Sequence, residues 1–67
     1  MVRGYFDQFP RSTFYFRRIR RFYILYSLDW DQDDPIVTSE DREIMQYLIN
    51  EALGREEAYR KRKSSSL

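Results

Sequence analysis

Between Ser12 and Leu28 the chain reads STFYFRRIRRFYILYSL, a run in which rings and arginines change places every two or three residues. At about 100° per residue, Tyr15, Phe16, Ile19, Phe22, Tyr23, Tyr26 and Trp30 share one arc of a helix. Arg17, Arg18, Arg20 and Arg21 share the opposite arc. Aromatic and β-branched content favours a strand instead. A strand, however, would place Arg18 and Arg20 on the face of Phe16 and Phe22. A hairpin would need a turn within RRIRR, where no Gly, Asn, Asp or Pro stands. The spacing therefore predicts a helix over 12–28, capped by Ser12. Ile24, Leu25 and Leu28 make its second half apolar nearly all round, as expected of a helix buried on more than one side.

A second period is cleaner. In TSEDREIMQYLINEAL the residues Ile44, Met45, Leu48, Ile49, Ala52 and Leu53 form one apolar stripe. Thr38 or Ser39 caps the start, with Thr38 and Asp41 spaced as a capping box. Gly54 offers a stop, while Glu56–Arg60 and Glu57–Lys61 are i,i+4 pairs that favour continuation. These patterns divide one small domain into an irregular arm over 1–11, an aromatic and arginine-rich helix over 12–28, an acidic loop over 29–38, an amphipathic helix over 39–60 and a disordered basic tail over 61–67. The expected fold class is all-α: a small helix–loop–helix, or two-helix hairpin, with an irregular N-terminal arm and a basic C-terminal tail.

Charge changes this picture more than composition does. The net charge of the 67 residues is only +1. It is segregated, with +5 on residues 1–28, −8 on 29–57 and +4 on 58–67. Folding the segments together could neutralise them internally. Cysteine and histidine are both absent, which excludes disulfides, thiolate zinc sites and histidine acid–base chemistry. The lack of cysteine is compatible with the expected intracellular, cytoplasmic location. No apolar run is long enough for a transmembrane segment. Rings make up 18% of the chain, more than so short a core can hide, so a protein partner or a second copy in a homo-oligomer is expected to cover some of them.

The acidic stretch DWDQDDPIVTSE places carboxylates at its first, third and fifth positions, Asp29, Asp31 and Asp33, and Glu40 at its twelfth. It resembles the EF-hand calcium loop, D-x-D-x-D-G-x5-E. Apolar residues flank it at that family's offsets, Leu25 and Leu28 before and Ile44, Met45 and Leu48 after. The resemblance implies a helix–loop–helix holding Ca2+ through Asp29, Asp31, Asp33, the carbonyl of Pro35 and Glu40. The loop departs from the family at its sixth position, where Asp34 replaces glycine, and at its ninth, where Val37 cannot hold a water. It also lacks the second loop with which such hands pair.

No catalytic arrangement is present, and an enzyme is not expected. The expected function is a small interaction or regulatory protein. It would dock on a protein partner through Tyr15, Phe16, Ile19, Phe22, Tyr23, Tyr26 and Trp30, with calcium as a possible modulator. The alternative is an accessory nucleic-acid or phosphate binder that uses Arg17, Arg18, Arg20 and Arg21.

Overall fold

The computed structural model describes residues 1–65, with side chains over residues 1–62. Three strands precede two helices: β1 (Val2–Phe6), β2 (Phe9–Ile19), β3 (Phe22–Asp29), α1 (Ser39–Ala52) and α2 (Glu56–Ser65). The strands form an antiparallel sheet in the order β1-β2-β3. The fold is thus α+β, and the expected all-α two-helix hairpin is incorrect. The arm over 1–11 is β1 and the start of β2, and the helix expected over 12–28 is a hairpin.

A sheet wins here because Phe14, which the helical arc left out, shares a buried face with Phe16. Phe14 and Phe16 stand two apart on one face of β2, and both are wholly buried. Phe9 and Met45 complete the buried core, with Val2, Phe6, Tyr23, Leu25, Leu28, Val37 and Ile49 packed against it. Phe6 meets Phe14 and Phe16 edge-on at 5.4 and 6.1 Å, and Phe9 meets Phe14 at 5.6 Å. Gly4 makes room for this cluster, because a Cβ there would lie 2.7 Å from Phe16 Cε2.

A β-bulge interrupts the pairing of β2 with β3. Tyr15 pairs with Ser27 but Phe16 pairs with Leu25, which leaves Tyr26 without a partner residue. Leu28, opposite Phe14, and Leu25, opposite Phe16, therefore share a face at a spacing of three. The turn joins Ile19 to Phe22 through Arg20 and Arg21, with Arg20 at φ 58°. A positive φ at the first turn residue alone is the pattern of a type II′ turn, whose usual occupant is glycine.

The second helical pattern folds close to expectation at its start. Thr38 and Asp41 form a reciprocal capping box. The helix does not run on to residue 60. Gly54 at φ 73° ends it in a Schellman arrangement, with Gly54 N–H donating to Glu51 O at 3.1 Å and Arg55 N–H to Asn50 O at 2.6 Å. Part of the expected tail, 61–65, belongs to α2, and residues 66–67 lie outside the described residues.

α1 runs antiparallel to β3 and closes its outer edge with amide side chains. Asn50 accepts from Tyr23 N–H at 2.7 Å and donates to Tyr23 O at 2.9 Å. Gln46 accepts from Leu25 N–H at 2.8 Å. This antiparallel course brings the acidic loop to one end of the molecule and the arginine turn, with the α1–α2 junction, to the other.

Candidate functional site

At the turn end, backbone from three places converges. Arg20 and Arg21 come from the hairpin turn, Arg55 from the α1–α2 junction, and Lys61 and Arg62 from α2. With Phe22, Gly54, Glu57 and Ala58 they line an open groove of about 500 Å³. Glu57, its one acid, lies 3.2 Å from Lys61 in an exposed i,i+4 pair. Arg62 is laid across the Tyr59 ring at 4.2 Å, reaches Phe22 at 5.8 Å, and holds Glu43 at 3.6 Å. Tyr59 is fixed in turn by donating to Glu43 at 2.8 Å and accepting from Gln46 at 3.1 Å. Burial, and then the bond to Glu43, hold its phenol above the ordinary range.

Among the described residues, no ion pair engages Arg17, Arg18, Arg20 or Arg21. Internal neutralisation is made by the C-terminal basic segment, whose Arg60, Lys61 and Arg62 pair with Glu56, Glu57 and Glu43, while the arginine run and the acidic loop lie at opposite ends of the molecule.

The side of the sheet turned away from the core carries a second set of residues. It presents Arg3 and Tyr5 from β1, Tyr15 and Arg17 from β2, and Tyr26 from the bulge in β3. Arg3 lies over the Tyr15 ring at 6.0 Å and Arg17 over Tyr26 at 5.6 Å. Tyr15 donates to Asp29 at 2.9 Å, which holds its proton and raises its pKa above the ordinary value.

The seven residues expected to form one helical docking surface are dispersed. Phe16 is wholly buried in the core, and Tyr23 is half-buried against it. Phe22 stands edge-on to Tyr59 at 6.1 Å, and Ile19 closes the end of β2. Tyr15 and Tyr26 share the outer sheet face, and Trp30 is exposed beyond the end of β3. No contiguous aromatic helix face exists, because there is no helix to carry it.

The helix–loop–helix that the EF-hand resemblance implies is corrected. The element entering the loop is a strand, not a helix. Among the described residues, no group of three or more acidic side chains is gathered to hold a metal ion. The expected ligands have other duties. Asp29 accepts from Tyr15, Asp31 accepts from Asp33 N–H at 2.8 Å, and Pro35 O accepts from the Trp30 indole at 2.9 Å. Asp33 is exposed, and Glu40 lies in the first turn of α1. Asp34, in the position where the motif requires glycine, is the buried one. It accepts from Arg11 N–H at 3.0 Å and Ser12 Oγ at 2.6 Å, while Ser12 Oγ accepts from Asp31 N–H at 3.0 Å. The loop is pinned to β2 by its own carboxylate.

The sequence pattern missed Arg55, Lys61 and Arg62 as groove residues and Tyr5 as a surface ring. The available signals were the basic segment after residue 58 and the chain-reversing Gly54. Among the described residues, no helix is long and apolar enough to cross a membrane.

The family model described as "Uncharacterised protein YuzH" matches residues 1–64, and the chain therefore belongs to the YuzH family. No curated protein and no solved structure matches it.

Proposed function

We propose that the protein is a non-enzymatic nucleic-acid binder whose basic end grips the phosphate backbone. The observation that carries this reading is the convergence of Arg20, Arg21, Arg55, Lys61 and Arg62 around one groove. Guanidinium groups bind phosphate through paired N–H donors, and a cluster of them supplies the local field that a net charge of +1 conceals. The backbone at Arg20 supports it. An arginine is kept at φ 58° where glycine would be relaxed, and such outliers collect at ligand-gripping positions. The loop acids lie at the far end, where they do not repel a polyanion held in the groove.

A titration of a fluorescein-labelled oligonucleotide against salt tests the proposal. The logarithm of the affinity should fall linearly with the logarithm of salt concentration, with a slope of about −0.7 per neutralised phosphate for a single strand. The double variant Arg20→Gly/Arg21→Ala removes two cations and should flatten that slope by about 1.4. Binding that is absent at low salt, or insensitive to salt and to the double variant, overturns the proposal.

A further inference from the structure

We infer that the bound nucleic acid is single-stranded and that its bases stack on the outward face of the sheet, on Tyr5, Tyr15 and Tyr26. This rests on the phosphate-gripping reading and adds to it a class of ligand and a second surface.

Three strands each contribute one of these rings, and none of the three belongs to the buried core. Tyr5 is 69% exposed and Tyr26 57%. The position of Tyr26 is a consequence of the bulge. In regular pairing the residue opposite Phe16 would point into the core, but that place is taken by Leu25, and Tyr26 is turned out to lie against Arg17. Tyr15 is held in place by its bond to Asp29. A ring that is already fixed loses little freedom when a base stacks on it.

Charge complementarity specifies the occupant. Arg3 lies over the Tyr15 ring and Arg17 over the Tyr26 ring, so a base stacks on the opposite face of each ring or in place of the guanidinium, which stays within reach of its phosphate. Arg17 is also three residues from Arg20, which joins this face to the groove at the turn. A single strand can lay its bases on the tyrosines and carry its backbone on to Arg20 and Arg21. Asp29 lies at the other end of the face and repels phosphate there, so the backbone leaves towards the turn. A duplex cannot use the same rings, because its bases are already stacked and paired; sheet aromatics read unpaired bases, about two or three at a time.

The experiment compares anisotropy titrations of labelled oligodeoxyuridylate, oligouridylate and a hairpin duplex of equal length, with heparin as a polyanion that cannot stack. The variants are Tyr5→Ala, Tyr26→Ala and Tyr26→Phe, all at exposed positions, beside Arg20→Gly/Arg21→Ala. Each alanine variant should weaken single-strand binding between about fivefold and about 150-fold, from the usual strength of base–aromatic stacking. It should leave heparin binding unchanged, and Tyr26→Phe should restore the affinity. Preference between the two single strands identifies the sugar, and either preference supports the inference. Alanine variants that bind single strands as the parent does, or a duplex bound more tightly than both single strands, overturn it. If the arginine variant still loses binding in that case, the phosphate grip stands alone. A parent protein that binds none of the four polyanions overturns the grip and the stacking face together.

Discussion

Gly4 and Arg20 show opposite uses of a backbone position. At Gly4 the reason is space. A methyl group would lie 2.7 Å from Phe16 Cε2, and Phe16 is wholly buried and cannot retreat. Gly4→Ala should cost about 1–3 kcal/mol, the usual range for overpacking, measured by urea denaturation. At Arg20 the reason is not stability. Relief of the positive φ should return about 1–2 kcal/mol, against about 0.5–1 kcal/mol for glycine's extra freedom in the unfolded chain. Arg20→Gly should therefore melt slightly higher than the parent while binding phosphate less well. A variant that melts markedly lower would show that the Arg20 side chain serves the fold. Asp34, the residue at which the loop departs from the calcium motif, has a structural role. Asp34→Ala leaves Arg11 N–H and Ser12 Oγ without their acceptor, so it should destabilise by about 1–3 kcal/mol instead of freeing a cramped loop.

At the level of elements, the contact between α1 and β3 is made through hydrogen bonds as well as through Met45 and Ile49. An edge strand with open N–H and C=O groups invites another chain, and here Gln46 and Asn50, one helical turn apart, occupy those groups. Asn50 is wholly buried, so its loss cannot be made good by water. Asn50→Ala should cost at least about 2 kcal/mol, for an unpaired donor and acceptor on Tyr23. It should also produce concentration-dependent association visible by light scattering. If the variant is destabilised yet remains strictly monodisperse, the amides hold the helix without guarding the edge.

For the whole molecule, the arrangement of charge has two measurable consequences. A polyanion that binds the folded chain alone stabilises it by mass action, so heparin should raise the melting temperature of the parent and much less that of Arg20→Gly/Arg21→Ala. The second concerns alkali. Tyr59, through burial and then its bond to Glu43, and Tyr15, through its bond to Asp29, keep their protons above the ordinary tyrosine value of 10.0. The folded state then binds more protons than the unfolded one, so the contribution is intact below about pH 10 and is lost as pH rises through the folded values. Unfolding free energy should decline above that pH, and more gently in Tyr59→Phe. An identical decline in the variant would remove Tyr59 from this account.

The helix that begins at Ser39 was legible in the sequence because its determinants are local. Thr38, Asp41 and Gly54 act within a few residues of their partners and do in the structure what their chemistry implies, whereas of the apolar stripe Met45 and Ile49 pack on the sheet and Ile44, Leu48 and Leu53 stay exposed. The segregation of charge was legible too, since it is a property of the chain itself. The hairpin was not. Its turn uses an arginine in place of glycine, and its bulge breaks the two-residue alternation of β3 between Leu25 and Leu28. Only pairing between strands explains either. The way the acidic loop is anchored was not legible either, because the partner of Asp34 is Ser12, more than twenty residues before it. The groove depended on tertiary structure for the same reason. Arg20 and Arg21 meet Arg55, Lys61 and Arg62 because α1 returns antiparallel along β3, a decision made by Asn50, Gln46 and the burial of Phe14 and Phe16 rather than by any of the basic residues that benefit from it.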